Sequence, residues 1–176
     1  MLAAPLPLFT ELFREHAPYA GRVLRNLGVG DADLPDALQE VFLVVHRKLS
    51  GFRGESAVRT WIYGICLRVA AAHRRRPFRG HEVELDEGVP ATDATPHEAA
   101  ERRQALARLD AALDRLDDDK RAVFVLYELE ELTLAEVASA VGAPVPTVYS
   151  RLLAARKIIQ SVFESERAAA QRGEDR

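Results

Sequence analysis

The chain has one cysteine, one methionine and one tryptophan in 176 residues. The lone Cys66 cannot form an internal disulfide, and its apolar helical surroundings read as those of a small buried hydrophobe. Five histidines, at 16, 46, 73, 81 and 97, lie too far apart for the paired spacing that metal ligands need. Glycine-rich phosphate loops, nucleophile elbows and carboxylate pairs are missing too. No metal and no cofactor is therefore expected, and an enzyme is a poor reading. No apolar run is long enough to span a bilayer, and the opening Met-Leu-Ala-Ala-Pro-Leu-Pro-Leu lacks the basic start and cleavage pattern of a secretory signal. A cytoplasmic protein is expected.

The composition is that of a soluble globular chain, 48% hydrophobic and 29% charged, with a formal net charge of -3. That mean conceals an asymmetry. Arg47, Lys48, Arg53, Arg59, Arg68, Arg74, Arg75, Arg76 and Arg79 are opposed only by Glu55 between residues 47 and 79. Asp110, Asp114, Asp117, Asp118, Asp119, Glu128, Glu130, Glu131 and Glu136 dominate the second half, where their field repels bare DNA. A polyanion partner would have to be met at the basic stretch, and with help.

Periodicity places the basic stretch on a helix running from about Arg59 and stopping before Pro77. Ile62, Ile65, Cys66 and Val69 fall on one side; Thr60, Gly64, Leu67, Arg68, Ala71 and Arg75 fall on the other. Two readings of that second side stay open. Its small residues let a polynucleotide backbone approach, with Arg68 and Arg75 on phosphates and Trp61 stacking a base, or they accommodate a neighbouring helix.

An amphipathic helix or close helix pair precedes it from Leu8 to about Gly28, with Pro18 as a possible kink. A second helix follows from Leu34 to about Leu49, with Asp31 or Asp33 available to cap it. Its run Val41-Phe42-Leu43-Val44-Val45 is apolar round most of its circumference. Leu34, Leu38, Val41 and Val45 suffice for an internal core, so Leu43, beside Asp36, Gln39, Glu40 and His46, reads as part of a docking face; a helix buried on all sides is the other explanation. The loop Ser50-Gly-Phe-Arg-Gly-Glu-Ser56 carries Phe52 either to receive an unstacked base or to plug the space beneath it.

Pro77 to Pro96 lacks helical period and reads as a linker, which at full extension spans roughly 65 Å. Beyond it Leu106, Leu109, Leu113 and Leu116 mark one helix, and Val123, Phe124, Leu126 and Tyr127 another, begun by Asp117-Asp-Asp119. Thr133 to Val141 is a short helix, Gly142-Ala-Pro144 a tight turn, and Pro146 to Lys157 the start of a longer helix. This is the pattern of a helix-turn-helix. Val148, Leu152, Ala155, Ile159 and Val162 face its core, with Thr147, Ser150, Ala154 and Lys157 outward and Tyr149, Arg151, Leu153 and Arg156 at the margins.

Together these segments resemble bacterial RNA polymerase sigma factors of the extracytoplasmic-function (ECF) group, which keep only the second and fourth sigma domains. Asp33-Leu-Pro-Asp-Ala-Leu-Gln-Glu-Val-Phe-Leu43 is similar to the family segment that binds the clamp helices of the polymerase largest subunit. Phe52-Arg-Gly-Glu-Ser56 and Arg59-Thr-Trp-Ile-Tyr63 are similar to those that capture and melt the -10 promoter element. Glu131-Leu-Thr-Leu-Ala-Glu-Val-Ala138 with Thr147-Val-Tyr-Ser-Arg-Leu152 resembles the helix-turn-helix that reads the -35 element.

The resemblance implies an all-α protein of two small helical domains joined by a flexible linker: a polymerase-binding and -10 domain over 5–77, a linker over 78–97, a -35 domain over 98–168 and a disordered tail over 169–176. It implies core RNA polymerase, promoter DNA and an anti-sigma factor as partners. Polymerase would be met by Asp36, Gln39, Glu40, Leu43 and His46. The -10 element would be met by Phe52, Arg53, Ser56, Arg59, Trp61, Arg68, Arg74 and Arg75, and the -35 element by Thr147, Tyr149, Ser150, Arg151, Arg156 and Lys157. The chain departs from the family at Leu67-Arg68, Pro146, Tyr149 and Leu153-Ala154; each phosphate left ungripped in this way lowers the salt slope of binding by about 0.9. A stand-alone helix-turn-helix regulator that dimerises through its first half is the alternative.

Overall fold

The computed structural model describes residues 9–75 and 95–174, with the side chains at 169, 170 and 172–174 left aside. Seven α-helices appear among the described residues, α1 Phe9–Asn26, α2 Leu34–Lys48, α3 Val58–Arg74, α4 Pro96–Leu113, α5 Asp118–Phe124, α6 Leu134–Val141 and α7 Val145–Glu174. A short 3₁₀ turn, Leu49–Gly51, follows α2, and a π-helical turn, Val125–Leu129, follows α5. No strand occurs among the described residues. The expected linker lies largely outside them.

The first three helices bury Leu12, Val23 and Leu24 of α1, Ala37, Val41, Phe42 and Val45 of α2, and Ile62, Ile65, Cys66 and Val69 of α3. α1 continues through Pro18 without dividing. Asp33 occupies the N-cap position of α2 but makes no side-chain cap bond, while Asp31 accepts from Arg25 Nε at 3.0 Å. Leu34 and Leu38 are only partly buried, so Ala37 and Phe42 carry the core role expected of them. Helical rotation turns Leu43 outward instead.

In the second half α4 begins at Pro96, capped by Thr95 through a reciprocal box with Glu98. Asp117 caps α5, and Thr133 caps α6 through a second box with Glu136. Leu113 and Leu116 are buried, but Leu106 is 53% exposed and takes no part in the core. α6, a turn at Gly142 with φ +68°, and α7 form the helix-turn-helix, with Val148, Leu152, Ala155 and Ile159 buried beneath it. α7 continues to Glu174, into the stretch expected to be a disordered tail. The run Glu166-Arg-Ala-Ala-Ala-Gln171 consists of strong helix formers, which is reason enough for the extension.

The two halves pack on one another, which no pattern along the chain announces. Thr60 and Gly64 of α3, placed on the free side by periodicity, are both buried. α6 sits over them: a Cβ at Gly64 would lie 3.4 Å from the carbonyl oxygen of Ala140. Of the two readings of the small-residue face, the neighbouring helix is the one observed. Arg121, 3% exposed, reaches across to the Asn26 carbonyl at 2.8 Å while pairing with Asp114 at 2.9 Å. Burial lowers its pKa, against the pull of Asp114.

Candidate nucleic-acid interface

Three groups of side chains stand where the sequence reading places function. The first is on α2. Leu43 is 47% exposed on a helix whose other large apolar residues are wholly or partly covered, and Asp36, Gln39 and His46 are exposed around it. The ring of His46 stands edge-on to Phe9, with centroids 5.0 Å apart. Glu40 is half-buried and lies 3.3 Å from Nε2 of the buried His73 near the end of α3, a tie that no spacing in the sequence announces.

The second group surrounds the loop between α2 and α3. Phe52 packs on Trp61 with ring centroids 4.9 Å apart and planes tilted by 36°. Arg47, Lys48, Arg53, Glu55 and Ser56 complete the rim of a concavity of about 490 Å³ above the rings. Aromatic faces floored by apolar contact and rimmed by cations suit a base with its phosphates. The packing of half-buried Phe52 on Trp61 is the plug of the two readings of this loop residue.

The cations of α3 itself are differently placed. Arg68 is exposed, and Arg75 donates from Nε to the Ala71 carbonyl at 2.9 Å, closing its own helix. Arg74 pairs with Asp118 of the second half at 2.6 Å. Arg59 donates through Nε to the Tyr63 hydroxyl at 2.7 Å and through Nη2 to the carbonyl of Glu130 at 2.9 Å. Partial burial works against the Arg59 charge, yet bonds to Tyr63 and Glu130 raise its pKa on balance. Arg68 and Arg75 also line a cleft of about 500 Å³ that runs between the halves, with Asp119 and Ser139 on its far wall. The structure thus brings Phe52, Arg53, Ser56 and Trp61 together, and directs Arg59 and Arg74 toward acids of the other half.

The third group is on the first turns of α7. Tyr149 is 50% exposed and Ser150 and Lys157 are exposed, while Thr147 is half-buried. Ser150 Oγ donates back to the Thr147 carbonyl at 2.9 Å. Arg151 pairs with Asp119, and Arg156 with Glu128 while its guanidinium lies 5.5 Å from the Tyr127 ring. That bond to Glu128 raises the Arg156 pKa. Two of the six expected -35 residues are therefore held by carboxylates of their own half.

Sequence reasoning gives no role of their own to Arg22, Tyr63 and Arg121 and sees Glu130 only as one acid of the second half. By composition Glu130 belongs to an exposed acidic field, but it is 2% exposed. No local pattern marks it, since its partners lie 67 to 108 residues away in the chain.

Residues 12–78 match the family Sigma-70 region 2, and residues 106–159 match Sigma-70 region 4. The chain is 34% identical over 146 residues to the ECF RNA polymerase sigma-E factor of Escherichia coli strain K12, covering 76% of this chain and 75% of that protein. It is 32% identical over 139 residues to the RNA polymerase sigma-H factor of Pseudomonas aeruginosa, covering 73% and 72%. Among solved structures, CnrH in complex with the cytosolic domain of CnrY is similar at a TM-score of 0.68 and 24% identity, over 89% of this chain and 88% of that one. The sigma factor RpoE in complex with the anti-sigma factor NepR, from Bartonella quintana, is similar at 0.69 and 21%, over 89% and 96%. The chain belongs to the ECF RNA polymerase sigma factors, which direct core polymerase to promoters. The stand-alone regulator is not favoured.

Proposed function

We propose that this sigma factor docks on the clamp helices of core polymerase through Asp36, Gln39, Glu40, Leu43 and His46, and opens the -10 element at the Phe52–Trp61 concavity. The observation that carries this reading is that concavity: two packed rings, with Arg47, Lys48 and Arg53 at the rim, on the same three-helix unit as exposed Leu43. Binding energy drives melting, because stacking of an extruded base on the rings, with ion pairs to its phosphates, offsets the pairing and stacking lost from the duplex. Arg53, Arg59, Arg68, Arg74 and Arg75 hold phosphates, Ser56 contributes a polar contact, and Trp61 braces the edge of the remaining duplex. Thr147, Tyr149, Ser150, Arg151, Arg156 and Lys157 meet the -35 element, with polymerase supplying most of the affinity that an acidic chain lacks. The chain performs no catalysis of its own and works in the cytoplasm beside polymerase. No described helix is long and apolar enough to cross a membrane. An anti-sigma factor of the kind named with the RpoE structure is a partner consistent with this reading. Run-off transcription from a promoter library by purified core polymerase, with and without the chain, tests the proposal. Promoter-specific transcripts only in its presence are expected, and none at any promoter would refute it.

A further inference from the structure

The outward row of α7 is apolar in the turns that follow Gly142, where a groove-reading helix presents its side chains to base edges. Val145, Tyr149 and Leu153 are spaced by four residues, so they share one face, and each is between 42% and 50% exposed. Exposed Pro146 lies alongside. The polar side chains of the same turns are engaged elsewhere. Ser150 Oγ donates to the Thr147 carbonyl at 2.9 Å, Arg151 pairs with Asp119, and Arg156 pairs with Glu128. Arg151 is half-buried and leaves the helix on another side from the apolar row, while Arg156 and exposed Lys157 come after Leu153, past the turns that reach deepest. In the major groove guanine is read by a guanidinium or ammonium on its O6 and N7, whereas the thymine C5 methyl is met by apolar contact.

We infer that Tyr149 and Leu153 set the -35 preference of this sigma factor by packing on thymine methyl groups, so that its upstream element is chosen for thymines rather than guanines. The inference deepens the proposed -35 role of α7 and rests on it. Two features favour a DNA groove over a protein as the occupant of the row. It lies on the first turns of the second helix of a helix-turn-helix, and Arg151, Arg156 and Lys157 flank it with cations. Surface ion pairs are weak, so Arg151 and Arg156 exchange their carboxylates for phosphates at little cost. The aromatic ring and the leucine branch gain by covering a methyl. A guanine in the same place sets its O6 and N7 against an apolar face with no donor, and the unpaired polar atoms count against it.

The test uses holoenzyme assembled from core polymerase and the full chain. Randomised duplexes that it binds are sequenced, and the preferred duplex is remade with uracil in place of each thymine of the upstream element. Uracil pairs as thymine does and lacks only the C5 methyl. Binding by the parent should fall about three- to fivefold for each contacted methyl removed. Tyr149→Ala and Leu153→Ala should each bind the thymine and uracil duplexes alike at the position that side chain covers, with helix content and polymerase affinity unchanged. Tyr149→Phe, which keeps the ring, should discriminate as the parent does. A merely structural role for either side chain would weaken binding of both duplexes equally and overturn the inference. A preferred upstream element without thymine, a parent that binds uracil and thymine duplexes equally, or alanine variants that keep the parent's discrimination would also overturn it. Loss of discrimination in Tyr149→Phe would overturn the role of the ring in favour of the hydroxyl. An upstream preference indifferent to the methyl strikes the inference alone; no upstream preference at all strikes the -35 role of α7 as well.

Discussion

Leu43 offers the sharpest perturbation of the proposed docking face. Burying a leucine fully is worth about 1.5–3 kcal/mol. With 47% of Leu43 exposed, roughly 1 kcal/mol remains available to a partner and about as much already goes into α2's own packing. Leu43→Ala should therefore weaken binding of core polymerase by about five- to tenfold. Leu43→Glu adds the cost of a carboxylate enclosed without a partner, several kcal/mol, for a total loss of about three orders of magnitude. The fold should survive: Leu43 is outside the buried core, and a loss of about 1 kcal/mol lowers Tm by roughly 2–8 °C. Fluorescence anisotropy of the labelled chain titrated with core polymerase gives the binding ratio, and circular dichroism gives the melt. A folded Leu43→Glu chain that binds polymerase like the parent would refute the docking face.

Trp61→Ala should leave polymerase binding intact and abolish permanganate-reactive thymines at the -10 element; normal reactivity would remove Trp61 from the melting step. Gly28→Ala should cost roughly 2–4 kcal/mol by urea melt, because φ is +88° and the new Cβ would stand 2.7 Å from Arg121 Nη1, disturbing its bond to Asp114 and, with the rest of the guanidinium, the Nε bond to the Asn26 carbonyl. A loss below about 0.5 kcal/mol would mean that Arg121 moves aside freely. The Glu136 pKa is lowered by the Thr133 backbone N–H and then by the hydroxyl, so its cap contributes stability above the ordinary carboxylate pKa and loses it as pH falls through the lowered value. Glu136→Gln should cost about 0.5 kcal/mol at neutral pH, with the difference from the parent closing in acid; a gap that persists at low pH would contradict the sign. Burial, followed by the nearby Glu130 charge, pushes the Cys66 thiol up to about 12. Ellman's reagent at mildly alkaline pH should therefore modify it only as fast as the protein unfolds, and rapid labelling of the native chain would show that α3 is not closed.

Local rules were enough for the helices and for much of the site. The bounds of α2 and α3, the turn at Gly142 and the buried row Val148, Leu152, Ala155 and Ile159 follow from periodicity and turn chemistry, which act over a few residues. Leu43 was legible as a surplus hydrophobe for the same reason. The packing of Phe52 on Trp61, nine residues further on, was not legible, because no period fixes where a loop residue turns.

Periodicity says which side of a helix is special, but not what will cover it. Thr60 and Gly64 share a side with Arg68 whether DNA or α6 lies there, and only the packing of Ala140 against Gly64 chose between them. Glu130 was one acid among many until a π-turn aimed it at Arg22, Arg59 and Tyr63, all more than sixty residues away. By itself the sequence determined the helices, the turn at Gly142 and the row buried beneath it, because those depend on neighbours along the chain. Tertiary structure alone decided which cations are held in ion pairs and which face is covered, because a charge or a small residue takes its meaning from whatever folding sets against it.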